Sequence, residues 1–242
     1  MIRTAWFYLV LVISTIWFAL RAVVAGLLGV RARGHYDGIV RGWSRSLLSA
    51  AGTPVVIEGV EGVPRDRSVV YASNHSSLFD IPALFAHLPG SVRFVAKQEL
   101  ARIPLFGQAM TAAGNVVIDR ANVRHAAAAY ERAAQTMRGG ISAVVFPEGT
   151  RSRTGELLPF KGMPFMLAIA AQAPLVPVYV HNTFEIYSKS AWRLHPRPIR
   201  IWVGRPIETS GMTAGDRDQL RRRALEFIAG TRARVDAASR SG

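Results

Sequence analysis

The sequence predicts an α/β fold in which helices flank a largely parallel or mixed central sheet, preceded by an N-terminal helical segment that associates with a membrane. Three observations predict it: short apolar strands alternate with helical patterns, residues 4–30 are almost all apolar, and 242 residues can bury one substantial core. The chain contains no internal repeat and no long low-complexity linker. We therefore predict a membrane-associating segment at 1–50 followed by a single domain at 51–242.

Residues 4–30 form an apolar tract that is interrupted only by three hydroxyl residues and Arg21. As a helix the tract would be about 40 Å long, against roughly 30 Å of bilayer hydrocarbon. Two arrangements stay open: the tract spans the bilayer with Arg21 reaching the interface, or it lies in one leaflet as a bent helical pair that breaks near Gly26 and Gly29. A secretory signal is disfavoured because no good small-residue cleavage site follows a short apolar core. A buried core helix is disfavoured because the aromatic side chains of the tract would all need covering.

The remaining elements follow from the spacing of apolar residues. Residues 35–48 have helical spacing interleaved with arginine, which predicts a surface helix able to rest on lipid head groups. Apolar runs bounded by turn residues predict strands at 54–60, 68–72, 92–96, 115–118, 142–146, 175–180 and 199–203. Apolar residues at helical spacing predict helices at 80–88, 104–112, 121–138, 161–172 and 213–236.

The charge and the residue types present limit the classes of function. The formal net charge of +14 and a pI near 11.3 call for an anionic partner, which could be nucleic acid, anionic lipid or a phosphorylated substrate. The lack of cysteine excludes disulfides, thiolate catalysis and cysteine-based metal sites in this sequence. Serine-hydrolase elbows, phosphate-binding glycine loops and the paired-histidine zinc motif are also missing, so no metal site and no bound cofactor are predicted.

His75 is the first candidate for catalysis. It follows the apolar run 69–72 and precedes an apolar-faced helix, so it lies where a strand passes into a helix. Asp80 comes five residues later, and an imidazole with a carboxylate has the parts of a base and its orienting group. On a regular helix five residues would place the two side chains roughly 140° apart. The spacing therefore predicts an irregular turn that folds His75 back toward Asp80.

Cationic groups follow three other predicted strands. The loop Phe146–Arg153 contains Pro, Gly and two arginines, which suits it to bind an anion, although an ordinary basic loop has the same composition. Lys97 lies just beyond one strand, and Asp119 with Arg120 ends another; solvated lysines and surface ion pairs are common alternatives. In an open parallel sheet ligands bind at the carboxyl ends of the strands, where these groups would meet.

Four blocks of sequence, in this order, resemble the glycerolipid acyltransferase family, typified by the 1-acyl-sn-glycerol-3-phosphate acyltransferases. They are Asn74–Asp80, which matches a His-x4-Asp motif, then Gly114–Arg120, Phe146–Ser152 and Val176–Val178. The resemblance covers roughly residues 54–205. It implies that 51–242 is an acyltransferase domain.

The resemblance also implies a reaction and a set of site residues. His75 would be the general base that takes the proton of a glycerol hydroxyl, and Asp80 would hold the imidazole. The acceptor would be 1-acyl-sn-glycerol 3-phosphate, and the acyl chain would come from acyl-CoA or acyl carrier protein as co-substrate, giving phosphatidic acid. The residues implied to bind the acceptor's phosphate are Glu148, Gly149, Thr150, Arg151, Arg120 and Lys97.

Two alternatives stay open at this point. A relative of the same family could acylate another lysolipid, an ornithine-type lipid or a glycolipid. A non-enzymatic basic module that binds membrane or nucleic acid would explain the charge, but not the four ordered blocks, so we predict a membrane surface and no nucleic acid as partner. Because acyl thioesters are cytosolic, we expect the domain on the cytoplasmic side, and Arg31 and Arg33 just after the tract agree with that side.

Overall fold

The computed structural model of the protein describes residues 1–118 and 123–240. The helices of these residues are α1 (Ile2–Leu27), α2 (Arg33–Ala51), α3 (Asp80–His87), α4 (Gln98–Ala101), α5 (Phe106–Ala112), α6 (Val123–Arg138), α7 (Met163–Ala171), α8 (Thr183–Ile186) and α9 (Arg217–Arg240). The strands are β1 (Val55–Glu58), β2 (Val70–Ser73), β3 (Val92–Lys97), β4 (Val116–Ile118), β5 (Ser142–Val145), β6 (Leu175–His181) and β7 (Ile199–Val203). Single 3₁₀ turns lie at Val60–Gly62 and Ala214–Asp216.

The described strands form one mixed sheet in the order β1-β7-β6-β2-β5-β3-β4. The five strands from β6 to β4 are parallel, β7 is antiparallel to β6, and β1 is parallel to β7. Neighbouring strand residues point to opposite faces, so Val144 packs with α2 and α3 whereas Val145 packs with α6, α7 and α9. The predicted α/β class with a mixed sheet between helices is confirmed.

The predicted elements agree with the structure to within a few residues, and the main difference is two short helices. The helices α4 and α8 were not predicted, because four residues are too few to show helical periodicity. Pro177 lies inside β6 between two neighbouring strands, and it lines a pocket together with Arg205 and Phe227. The Pro177 carbonyl accepts a hydrogen bond from the Gly204 N–H, one residue beyond the last β6–β7 pair. An N–H at position 177 would therefore lie beyond the paired residues, so its absence in proline removes no β6–β7 hydrogen bond.

Helix α1 is continuous and faces outward along most of its length. It packs on the domain through one stripe of mainly small and polar residues, Thr4, Phe7, Ser14, Ala19, Ala22 and Ala25. Large apolar side chains cover its other face and are exposed, among them Trp6, Leu9, Ile13, Trp17, Leu20 and Val24. Only 22% of its most apolar stretch is buried, although the helix has the length and composition to cross a membrane. A core helix of a soluble protein would be mostly buried, so this apolar face needs another cover.

Both ends of α1 contact the rest of the chain. At the N-terminal end the Tyr8 hydroxyl lies 2.8 Å from that of Tyr187, and the Leu194 N–H donates to Thr4 Oγ1. At the C-terminal end Ala22 and Ala25 pack in one cluster with residues of α2 and α5. After α1 the chain turns through residues 28–32, close to the predicted break, and enters α2. The two helices therefore form a pair whose first member lies along the domain.

Helix α2 joins this pair to the sheet. Leu47 and Leu48 lie in the same core as the strands and α3, and Asp37 forms an ion pair with the buried Arg93 at 2.6 Å. The division into 1–50 and 51–242 stays a prediction, and the packing across it is continuous.

Candidate active site

The carboxyl ends of β6, β2, β5 and β3 lie side by side because these neighbouring strands are parallel. His75 follows β2, Glu148 and Arg151 follow β5, and Lys97 is the last residue of β3. The topology thus gathers residues from three separate stretches of sequence at one edge of the sheet, which is where open α/β sheets bind ligands.

His75 and Asp80 are directly hydrogen-bonded, with 2.7 Å between Nδ1 and Oδ2. Asp80 is the first residue of α3 and is 0% exposed. Its Oδ2 also accepts the backbone N–H groups of Ser76 and Ser77, at 2.8 and 2.9 Å, so the carboxylate closes the irregular turn that the spacing predicted. An ionised carboxylate only accepts hydrogen bonds, so Nδ1 carries the proton and Nε2 keeps its lone pair.

The plane of the His75 ring is fixed by stacking. The ring lies on that of Phe146, with 3.9 Å between centroids and 15° between planes, and Phe146 stacks in turn on Phe94. The His75 side chain is 14% exposed. An imidazole with one nitrogen bonded and one face covered has few alternative orientations, so Nε2 has a defined position.

The loop after β5 clamps the backbone of His75. The His75 N–H donates to Glu148 Oε1 at 2.8 Å, and the His75 carbonyl accepts the N–H of Ser152 at 2.8 Å. Glu148 Oε2 accepts the N–H of Leu158 at 2.9 Å. The Pro-Glu-Gly-Thr-Arg loop and the catalytic candidate are therefore one hydrogen-bonded unit.

Glu148 differs in its placement from the other residues implied to bind phosphate. It is 3% exposed, and both of its oxygens are occupied by backbone N–H groups. Burial raises its pKa to about 7, against the two hydrogen bonds, which lower it. Both oxygens of this buried carboxylate join the loop to neighbouring backbone, and the predicted contact of Glu148 with a phosphate stays a prediction.

Gly149, Thr150 and Arg151 form the outer part of the same loop. Gly149 has φ +75°, and a Cβ added there would lie 3.0 Å from Lys161 Nζ, so the Lys161 side chain lies across the turn. Thr150 is exposed and Arg151 is half-buried. Burial and a hydrogen bond with Tyr8 raise the pKa of Tyr187 to about 12, while the nearby charge of Arg151 acts in the opposite direction. The loop itself carries Arg151 and Arg153, and the structure brings a third cationic side chain, that of Lys161, across its turn, which the sequence had not indicated.

The other predicted cations lie further out or are not described. Lys97 is exposed and forms an ion pair with Glu99 at 2.5 Å. Arg120, predicted to assist in phosphate binding, lies outside the described residues. Its role there stays a prediction.

Two residues near His75 have structural roles that the sequence did not indicate: Asn74, which lies in the first block, and Thr183, which lies outside all four blocks. Asn74 joins β2 to β6, since its Nδ2 donates to the Val180 carbonyl and its Oδ1 accepts the Val180 N–H. Thr183, the first residue of α8, donates its hydroxyl hydrogen to Asp80 Oδ1. Both contacts join segments more than 100 residues apart, so no local spacing could have revealed them.

Comparison with known proteins identifies the family. Residues 54–181 match a family model described as Acyltransferase. The 1-acyl-sn-glycerol-3-phosphate acyltransferase of Cocos nucifera is 34% identical over 86% of this chain and 67% of its own length, and the human alpha enzyme of that name is 34% identical over 68% and 59%. The Pseudomonas aeruginosa protein of the same name is 28% identical over 97% of this chain and 91% of its own. The chain therefore spans about 60% of the human relative but nearly all of the bacterial one.

A solved structure shares the fold. The crystal structure of the 1-acyl-sn-glycerophosphate acyltransferase PlsC from Thermotoga maritima superposes with a TM-score of 0.80 at 25% identity, covering 96% of this chain and 95% of that one. The resemblance predicted from the four blocks is confirmed. With a family match over more than half of its residues, the chain belongs to the acyltransferase family.

Proposed function

We propose that the protein transfers a fatty acyl chain from acyl-CoA or acyl carrier protein to the free hydroxyl of 1-acyl-sn-glycerol 3-phosphate, giving phosphatidic acid, with His75 as the general base. The observation that carries the proposal is the 2.7 Å hydrogen bond between His75 Nδ1 and the buried Asp80, beside a loop with cationic side chains. The names of the relatives support the same acceptor.

The reaction follows from this geometry. His75 Nε2 takes the proton of the acceptor hydroxyl as the oxygen attacks the thioester carbonyl, and Asp80 stabilises the imidazolium that forms. The tetrahedral intermediate collapses by breaking the C–S bond, and the thiol leaves with the proton returned from Nε2. The products are an ester and a free thiol, and no covalent acyl-enzyme is formed.

The loop after β5 supplies the acceptor site. Gly149, Thr150 and Arg151 bind the phosphate, and Lys97 and Arg120 add positive charge. Glu148 acts differently in this proposal: it holds the loop against the His75 backbone, as its two hydrogen bonds support. A neutral glycolipid would gain nothing from these cations, which favours a phosphorylated acceptor over that alternative.

The lipid substrate requires contact with a membrane. We assign the exposed apolar face of α1 to one leaflet on the cytoplasmic side, because both ends of the helix contact the catalytic domain. Leu100 and Ile103, a few residues after Lys97 in the chain, are further exposed apolar side chains that could contact lipid. This arrangement would let a lysolipid reach His75 without leaving the interface.

The direct test replaces His75 by alanine. We expect His75→Ala to lower kcat by about 10²- to 10⁴-fold, because general-base catalysis contributes that much, while binding to lipid vesicles is unchanged. The measurement is acyl transfer from a radiolabelled acyl-CoA to lysophosphatidate in mixed micelles. The exposed His195→Ala serves as a control with wild-type activity. Full activity of His75→Ala would disprove the base assignment.

A second variant tests the acceptor site. We expect Arg151→Ala to raise KM for lysophosphatidate at least tenfold and to change KM for the acyl donor less than twofold, because a charged hydrogen bond to phosphate contributes about 1.5–3 kcal/mol. Steady-state kinetics with each substrate varied in turn measures both constants, and Arg197→Ala, a change at an exposed arginine, is the control. Equal effects on the two KM values would remove Arg151 from the phosphate site.

A further inference from the structure

We infer that Thr183 is a positioning residue of the reaction: its hydroxyl holds the Asp80 carboxylate, and through it the His75 ring, in the productive orientation. The inference rests on the proposed role of His75 as base. It adds to the site a residue that lies outside all four sequence blocks.

The Asp80 carboxylate is held on both oxygens, and each oxygen has different partners. Oδ2 accepts from His75 Nδ1 and from two backbone N–H groups of the turn. Oδ1 accepts from Thr183 Oγ1 at 2.5 Å, and the described residues give this oxygen no other partner. Asp80 and Thr183 are 0% and 1% exposed, so the contact is closed to bulk water. Without Thr183 one oxygen of a buried charge would lose its hydrogen bond, which is costly.

The direction of each hydrogen bond follows from the chemistry of the groups. Asp80 as a carboxylate only accepts, so the single hydroxyl hydrogen of Thr183 points to Oδ1. Ser76 Oγ lies 3.0 Å from Thr183 Oγ1, and it must donate in that pair because the Thr183 hydrogen is already used. The result is a chain from Ser76 through Thr183 to Asp80 in which every hydroxyl hydrogen has one acceptor.

The fold places Thr183 accurately. Asn74 and Val180 exchange two hydrogen bonds, which fastens the end of β2 to the end of β6 just before the catalytic turn. After β6, Asn182 adopts a left-handed conformation with φ +70°, and α8 begins at Thr183. Its hydroxyl thus approaches Asp80 from the β6 side while the turn residues approach from the β2 side. The carboxylate is therefore held from two segments that are separated by more than 100 residues.

This geometry makes a specific kinetic prediction. A carboxylate side chain rotates over a broad range unless both oxygens are bonded. Loss of the Oδ1 bond would allow Asp80 to rotate and the His75 ring to lose its alignment, which affects proton transfer but not the phosphate or donor contacts. The expected effect is therefore on kcat and not on KM.

The experiment compares Thr183→Val, which has nearly the same shape but no hydroxyl, with Thr183→Ser, which keeps the hydroxyl. The full chain is assayed in mixed micelles with lysophosphatidate and a single acyl-CoA. We expect Thr183→Val to lower kcat about tenfold or more with both KM values within twofold of wild type, and Thr183→Ser to restore kcat to within about threefold.

Thr209 offers a matched control, because it is also fully buried and donates its hydroxyl to a backbone carbonyl, that of Ala173 at 2.8 Å. Thr209→Val should lower the melting temperature to a similar extent and leave kcat within twofold. Should Thr183→Val fail to fold, Thr183→Ala replaces it, and kcat for Thr183→Ser should exceed kcat for Thr183→Ala at least threefold.

The outcomes separate this inference from the proposed function. Two results would overturn the role of Thr183 even if His75→Ala is inactive. One is a wild-type kcat in the folded variant that lacks the hydroxyl, and the other is a loss of kcat in Thr183→Ser as large as in that variant. An active His75→Ala would instead overturn the base assignment, and the inference with it.

Discussion

At the level of single residues, the candidate site holds His75 with two carboxylates, one bonded to its ring and one to its backbone. Asp80 bonds the His75 ring, whereas Glu148 bonds the His75 backbone. The two carboxylates therefore fix different parts of the same residue, the ring and the chain that carries it. The Glu148 carboxylate is 3% exposed and forms no ion pair with a described residue, and burial raises its pKa.

The raised pKa of Glu148 predicts a pH dependence of stability. Its pKa of about 7 in the folded protein lies above the ordinary value of 4.5, so between these pH values the folded state binds more protons than the unfolded chain. The free energy of unfolding should therefore fall as pH rises through this window, by at most about 1.4 kcal/mol per pH unit from this group. In Glu148→Gln this contribution should disappear.

Denaturant unfolding in detergent micelles at pH values from about 4.5 to 7.5 measures the slope for both proteins. Glu61→Gln, a change at an exposed carboxylate, should keep the wild-type slope. An identical slope in wild type and Glu148→Gln would mean that Glu148 does not titrate in this range in the folded protein.

At the scale of elements, α1 is both an apolar surface helix and a support of the site. Its Tyr8 hydroxyl contacts that of Tyr187, and the Tyr187 carbonyl accepts the hydroxyl of Ser77 within the catalytic turn at 2.7 Å. Two hydrogen bonds through Tyr187 thus link α1 to the turn that contains His75. A spanning helix of 26 residues, about 39 Å long, would carry its N-terminal end across the bilayer and away from these partners.

We predict that both ends of the chain lie on the same side of the membrane. An epitope tag on the N-terminus should be removed by protease from inverted vesicles, whose cytoplasmic face is outward, and should be protected in right-side-out vesicles. A tag on the C-terminus, which marks the side of the catalytic domain, is the control in the same preparations. Opposite protection of the two tags would show that α1 spans the bilayer.

At the scale of the whole molecule, strand order determines which residues meet. The chain passes from β2 to β3 and β4 on one side, returns to β5 next to β2, and then places β6 on the other side of β2. The central strand therefore has the loop of Glu148 on one flank and Thr183 on the other. The antiparallel β7 and parallel β1 extend the sheet beyond β6 without adding a described group to the His75 contacts.

Much of this arrangement could be predicted from the sequence, because it depends on short-range geometry. Apolar periodicity located the strands and long helices, and the five-residue step from His75 to Asp80 predicted an irregular turn that brings the two side chains together. Four-residue helices such as α8 could not be predicted, since a single helical turn is too short for apolar residues to repeat at helical spacing. The sequence also left open whether α1 spans, because length and composition are the same for a spanning helix and a helix lying along a domain.

The His75–Asp80 pair, the strands, the long helices and the cationic loop could be read from the sequence, since each is specified by residues close together in the chain. The tertiary structure decided the rest. It turned Glu148 inward onto the His75 backbone, laid α1 along the domain and brought Thr183 onto Asp80. These contacts depend on which strand ends become neighbours, and that is decided by the packing of the whole sheet and not by any local stretch of residues.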